Sequence, residues 1–374
     1  MKKELELYIH IPFCIKKCEY CDFLSGPGTI SAQREYVDAV CREIEALDGY
    51  ENYEVVSVFI GGGTPSVLPG AWIREIIGET REKFTDLLDA EITIEANPGT
   101  VTLEKLKEYR KAGINRISFG CQSADNRELK MLGRIHTWEE FLESFSLARE
   151  AGFSNINVDL MSGLPGQTVT SWEESLRKVA GLDPEHISAY SLIIEEGTPF
   201  AQKELDLPDE DEEREMYENT HQILESYGFS QYEISNYAKP GKESRHYIGY
   251  WIRREYLGIG LGSSSLIQNQ RFCNTSDMKV YLKNSNLPET IRKDNEKLSR
   301  KEQIEEFMYL GLRMLKGVSA KQFAAVFGIG MMQVYGEVID KYVKMGFLEW
   351  RGDCLRFTRA GISVSNPILA EFLL

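Results

Sequence analysis

Six short apolar runs recur through the first half of the chain, at residues 5–11, 55–61, 91–96, 116–121, 155–160 and 186–193. Helix-patterned stretches lie between them, at 31–47, 71–84, 103–112, 138–151 and 171–180. This alternation constrains the fold more than any other feature. Parallel strands need long crossovers, the crossover helices bury both faces of the sheet, and the strands then read as near-continuous apolar runs. Two of the helical stretches close on glycine, in Lys111-Ala112-Gly113 and Glu150-Ala151-Gly152, as a left-handed helix end favours. Six units build an α/β fold, either an open doubly wound sheet or most of a (β/α) barrel. Periodicity does not choose between these. In both, chemistry gathers at the C-terminal ends of the strands.

The residues at those ends are unusual. Pro12 stops the first run, and Cys14-x3-Cys18-x2-Cys21 follows on a loop. Three soft thiolates so close together suit iron–sulfur or zinc. Structural zinc wants four ligands, and the other cysteines, Cys41, Cys121, Cys273 and Cys354, are scattered singly. His10 is the one nearby residue able to complete a Cys3His site. A four-iron cluster on three thiolates instead leaves one iron open to a small molecule, and the spacing favours that reading. The second run ends in Gly61-Gly62-Gly63-Thr64-Pro65, whose backbone can approach a ligand closely. The third ends in Glu95-Ala96-Asn97-Pro98, the fourth in Gly120-Cys121-Gln122 with Arg134 beyond, and the fifth in Asp159 before Gly163-Leu164-Pro165-Gly166-Gln167. Tyr8 and His10 end the first. Taken singly, a glycine run is a turn and an acid at a strand end is a helix cap. Their recurrence on the face that carries the thiols points to one site.

Net charge of −15 over 374 residues disfavours a polyanionic partner such as nucleic acid. No apolar run reaches the length of a membrane span, so no integral membrane segment is expected. No signal-peptide pattern opens the chain, and seven cysteines, three of them clustered, do not form a disulfide framework. A cytoplasmic, reducing location follows.

Past residue 200 the pattern changes. The acid run Asp209-Glu210-Asp211-Glu212-Glu213 reads as the solvated start of a helix over 212–227. Aromatics then crowd His246: Tyr237, Tyr247, Tyr250, Trp251 and Tyr256. Such a cluster is either an aromatic core around a satisfied histidine or a flat apolar pocket with an axial metal ligand. Helices at 300–315, 319–327 and 332–345 precede two short strands around Arg351-Gly352-Asp353, a winged-helix shape without a basic recognition helix.

The motifs together resemble a known family. Cys-x3-Cys-x2-Cys with Tyr20 before the last cysteine looks like the signature loop of radical S-adenosylmethionine (SAM) proteins. Tyr8-x-His10-Ile11-Pro12-Phe13-Cys14, Ser118-Phe119-Gly120-x-Gln122, Leu132-Gly133-Arg134 and Asn157-Val158-Asp159-Leu160 are similar to the oxygen-independent coproporphyrinogen III oxidases and their relatives. The resemblance runs over essentially the whole chain. It implies an incomplete six-unit radical SAM barrel over residues 1–200, a connecting region with the haem motif over 201–298, and a small C-terminal module over 299–374. It implies a [4Fe-4S] cluster on Cys14, Cys18 and Cys21, whose open iron chelates SAM and whose electron cleaves it to a 5′-deoxyadenosyl radical. Tyr8, Gly62 and Glu95 match positions lining the first SAM site. Tyr20, Gly63, Thr64, Gln122, Arg134 and Asp159 match positions that the true oxidases use for a second SAM. Three features place the chain in the haem-chaperone branch, which binds haem and passes it to acceptor proteins, rather than among the decarboxylating oxidases. Phe23 stands where the oxidases have a fourth cysteine, their N-terminal extension has no counterpart, and His246-x-x-x-Tyr250-Trp251 matches the haem motif, with His246 as ligand. One departure is Tyr247, where the motif usually has asparagine.

Overall fold

The computed structural model describes residues 2–84 and 87–374. The expected alternation is present: β1 (Lys3–Ile11), α1 (Ile30–Ala46), β2 (Tyr53–Gly62), α2 (Gly70–Lys83), β3 (Glu91–Ala96), α3 (Leu103–Ala112), β4 (Arg116–Gln122), α4 (Asn126–Met131), α5 (Trp138–Glu150), β5 (Ile156–Ser162), α6 (Val169–Ala180) and β6 (His186–Ser191). Strands β1 to β6 pair in parallel in chain order. Helix starts are where small polar residues dictate. Thr102, Thr137 and Thr168 each accept an amide of the first turn, the last two in capping boxes.

The sheet does not stop at six strands. Beyond α7 (Glu210–Ser226) come β7 (Ser230–Gln231), β8 (Asn236–Ala238), α8 (Arg245–Trp251), β9 (Glu255–Ile259), β10 (Ser264–Ile267) and β11 (Gln270–Asn274). Then follow α9 (Met278–Asn284), α10 (Pro288–Ile291) and β12 (Arg292–Lys297). The order becomes β12-β11-β10-β9-β1-β2-β3-β4-β5-β6-β8-β7, twelve strands among the described residues. Strands β7 and β8 extend the β6 edge antiparallel, and β9 adds parallel to β1. The acid run is a helix start as read: Asp209 accepts the amides of Asp211 and Glu212 and caps α7.

One ring shows that the sheet curves into a partial barrel. Tyr247 lies 5.7 Å from the Phe59 ring of β2, 5.7 Å from the Arg116 guanidinium of β4, and 6.3 Å from the His186 ring of β6. In a flat sheet β2 and β6 would stand roughly 19 Å apart, four strand spacings of about 4.8 Å. Helix α8 therefore sits inside the curve, near the strand starts. Glu91, at the start of β3, caps it by accepting from Ser244 Oγ at 3.2 Å and from the amides of Arg245 and His246 at 3.1 and 3.3 Å. Gly249 permits the close approach, since a methyl there would come within 1.8 Å of the Glu6 carboxylate.

The C-terminal residues form α11 (Arg300–Gly311), β13 (Val318–Ser319), α12 (Ala320–Phe327), α13 (Met331–Lys344), β14 (Leu348–Arg351) and β15 (Cys354–Phe357), with two short helices after them. Their core, around Met308, Phe323, Tyr335, Ile339 and Phe372, is separate from that of the sheet. Glu306 of α11 is buried and receives Arg253 Nε at 2.6 Å and Arg271 at 2.7 Å, which ties this region to α8 and β11.

Candidate functional site

At the C-terminal ends of β1 to β6 lies a cavity of about 440 Å³, within the range of small-molecule sites. The three-thiol loop forms one wall. Its base is closed by Cys14 N–H donating to Gly26 O at 2.9 Å and Gly26 N–H to Pro12 O at 3.0 Å. Its flank is held by Thr64 N–H on Phe13 O at 2.7 Å and Gly63 N–H on Ile11 O at 2.8 Å, and its far side by Glu19 N–H on Leu132 O at 3.0 Å. Two strand ends and the C-terminal end of α4 thus hold one loop. Thr64 Oγ1 and Arg134 each donate to a thiol sulfur, Cys14 and Cys18 respectively, at 3.5 Å.

The donor set fits a cluster better than zinc. Among the described residues no three His, Cys, Asp or Glu side chains converge as single-ion ligands do. His10, the candidate fourth zinc ligand, has both ring nitrogens engaged: Nε2 donates to Leu24 O at 2.9 Å and Nδ1 accepts from Tyr8 at 3.0 Å. Cys14, Cys18 and Cys21 would hold the iron–sulfur group, and Arg134 would place a cation beside it.

The other wall is polar. Glu95 accepts from Gly62 N–H at 3.0 Å, and Gly62 holds a φ of +109 where a side chain would strike His10 at 2.4 Å. Asp159 accepts from Asn157 at 2.7 Å and Ser118 Oγ at 3.2 Å. Burial pushes both carboxyls up, Glu95 to about 8 with Asp159 as the second cause. When ionised, such a pair would attract a cation. Arg134 donates to Asn97 Oδ1 at 2.5 Å and Gly120 O at 2.6 Å. Gln122 adopts the left-handed region at φ 69, and its side chain accepts from Tyr190 at 2.9 Å. A left-handed non-glycine residue at a strand end is a strained conformation of the kind that gathers at binding sites.

Known proteins share this sequence pattern and fold. A model of the radical SAM superfamily matches residues 8–179, and one of the HemN C-terminal domain matches 298–364. The chain is 38% identical over 374 residues to the protein named "Heme chaperone HemW" of Bacillus subtilis (strain 168), with 98% of each chain covered. It is 36% identical over 378 residues to the protein of the same name from Escherichia coli (strain K12), with 99% of this chain and 98% of that one covered. The chain belongs to the HemW family. Among solved structures, coproporphyrinogen III oxidase (HemN) from Escherichia coli superposes with a TM-score of 0.86 at 24% identity, covering 100% of this chain and 90% of that one. That likeness shows the fold, a radical SAM partial barrel with a further C-terminal region.

Of the residues singled out from sequence, Cys14, Cys18, Cys21, Tyr20, Gly62, Gly63, Thr64, Glu95, Gln122, Arg134 and Asp159 all line this HemW-family cavity. Tyr8 does not; it stacks on Phe59 and donates to His10. His246 is also brought elsewhere. It is 1% exposed, stacks on Phe59 at 5.0 Å, and has Ser57 Oγ at 2.9 Å from Nδ1 and the Tyr250 hydroxyl at 3.2 Å from Nε2. The ring as seated is the satisfied core histidine, and it reaches a haem iron only by giving up these partners. Tyr247, one residue on, faces the cavity instead. Asn97, Tyr190 and Asn236 line it too, unassigned from sequence. Tyr190 was findable, as the inward residue near the end of β6.

Burial holds the His246 imidazole down to about 3, from an ordinary value of 6.5, and His186 well below the same value. The unfolded chain therefore binds protons near pH 6.5 that the folded chain refuses. The stability these rings contribute is full above that pH and is lost as pH falls from about 6.5 toward 3. Glu6, pushed up to about 8 by burial, acts on the alkaline limb: its contribution is full below 4.5 and is lost as pH rises through 8. The thermal midpoint should fall between about pH 7 and 5, with His186→Gln flattening the slope.

Proposed function

We propose that this chain carries a [4Fe-4S] cluster on Cys14, Cys18 and Cys21, holds SAM against Glu95, Asp159 and Arg134, binds haem, and passes it to acceptor proteins in the cytoplasm. The observation that carries the reading is similarity over the whole chain to curated haem chaperones. When bound, the cluster supplies an open iron and one electron at a time. The chain's own part is to hold it beside a cation-seeking carboxylate pair and a fixed guanidinium. In the oxidase alternative the same machinery decarboxylates coproporphyrinogen III. Against it, Phe23 replaces the fourth cysteine, lines the cavity and stands 59% exposed. Ile193, 69% exposed, lines the same mouth. Two large apolar side chains open to solvent there suit a flat apolar ligand.

Titrating the anaerobically reconstituted protein with haem, with a coproporphyrinogen assay on the same sample, tests the proposal. Stoichiometric binding with a Soret shift, and no decarboxylation, is expected. His246→Ala then separates two haem arrangements. A changed Soret band assigns His246 as axial ligand and means that α8 leaves its seat. An unchanged band with binding weakened by Phe23→Ala puts haem at the cavity mouth. Decarboxylation with turnover, and no haem bound, would make the protein an oxidase.

A further inference from the structure

Arg116 is the most anomalous side chain in the barrel. It is 0% exposed, and none of its three guanidinium nitrogens has a hydrogen-bond partner among the described residues. A buried cation left so is costly unless charges nearby compensate it. The Tyr247 ring, 5.7 Å from the guanidinium, supplies a π face. The rest comes from the layer above.

Arg116 pairs with Thr93, and Ser118, two residues further along β4, pairs with Glu95. All of these point into the same side of the sheet, with Arg116 roughly 7 Å below the Glu95 level at about 3.3 Å per residue. Ser118 reaches across to Asp159 at 3.2 Å, and Asn157 donates to both Ser118 and Asp159 at 2.7 Å. Asn157 Oδ1 in turn accepts from His186 Nδ1 at 2.5 Å, and His186 Nε2 accepts from Tyr232 at 2.8 Å. That chain fixes His186 as a neutral ring. It therefore adds no charge. His246 is likewise neutral, and Tyr232 and Tyr247 are phenols held protonated by burial. Glu91 is committed to the α8 cap, and Arg254 is bound to Glu6 at 2.8 Å. The two carboxyls at the cavity floor are left as the natural counterparts of Arg116.

We propose that Arg116 is a positioning residue for the cofactor: its buried charge, from beneath the cavity, favours the ionised form of the Glu95–Asp159 pair, which the pair takes up as it receives the cationic groups of SAM. It touches neither SAM nor the cavity surface. This rests on the reading that the cavity takes SAM. With two carboxylates over one guanidinium the floor is one positive charge short, and the ligand brings it. Arg116 lowers both carboxyls, while burial and Asp159 hold Glu95 up at about 8. SAM affinity should accordingly rise with pH as Glu95 gives up its proton. Removing Arg116 should move that rise to higher pH.

The test is SAM affinity against pH, read by calorimetry on the reconstituted protein, for wild type, Arg116→Met and Arg116→Lys. A shift of one pKa unit corresponds to about tenfold in affinity on the acid side. Arg116→Met should lose about tenfold near pH 7 and approach wild type near pH 9, and Arg116→Lys should keep the wild-type profile. Any proton released by the SAM amine on iron is common to all three. Equal loss at every pH, or no loss, overturns the proposal. Infrared difference spectra of the wild type provide a reading that needs no variant. A protonated-carboxyl band should disappear when SAM is added, and it should be missing in Glu95→Gln; a spectrum without such a loss overturns the proposal as well. Wild type that binds no SAM at any pH overturns the functional reading itself, a result distinct from either.

Discussion

Replacing Cys18 by serine should remove the brown iron–sulfur chromophore and take iron and sulfide from roughly four of each per chain to near none. The hydroxyl is a far poorer ligand for iron than a thiolate. The fold should survive, because the loop is held by backbone bonds at Gly26, Thr64 and Leu132 that do not involve the thiol. Far-ultraviolet circular dichroism, which reads the backbone, should be unchanged. Cys41→Ser is the control. Cys41 packs against the apolar core on α1, where burial pushes its thiol up to about 12, so it offers no thiolate. Full iron in Cys18→Ser, or one zinc and no sulfide in the wild type, would exclude the cluster on these thiols.

Glu91→Ala should be strongly destabilising. The carboxylate accepts from Ser244 Oγ and two backbone amides, and these anchor the first turn of α8 inside the barrel. A hydrogen bond to a charged group contributes about 1.5–3 kcal/mol, and donors left unpaired in a buried place add a penalty. Since the three share one acceptor group, their sum is less than additive, and a loss of about 3 kcal/mol is expected from denaturant titration. Glu91→Gln keeps one acceptor oxygen and should lose about half as much. If Glu91→Ala unfolds at the wild-type midpoint, α8 is held by its packing and not by this cap.

What could be read from the sequence follows from range. Strand ends are local: a run of apolar residues, a stop, and a polar residue give the position, and parallel order then brings Thr64, Glu95, Gln122 and Asp159 together. Helix α7 announced itself by its acidic cap. The seat of α8 was hidden because it depends on the curvature of the whole sheet. Residues 246 and 247 are about 100° apart on a helix, so one faces Ser57 and the other the cavity. An aromatic count around His246 cannot show which. Tyr8 shows the same limit on a smaller scale, since the bond of its hydroxyl to His10, two residues on, is a side-chain choice that the sequence does not display. The edge strands β9 to β12 were missed because they are only four to six residues long, and β12 is in addition charged along most of its length.

Helix α8 also sets an order of events. Its side chains and the cap from Glu91 fill the lower end of the barrel, so a visitor to the cavity comes in past Phe23 and Ile193. Glu95 and Asp159 lie at the floor, and the apolar mouth lies above them. If haem docks at the mouth, the second of the two arrangements proposed above, a small cationic guest would have to arrive before it and could not leave until it had gone. On such a path the last ligand to dock acts as a stopper for the first, and exchange of SAM should slow when the mouth is covered.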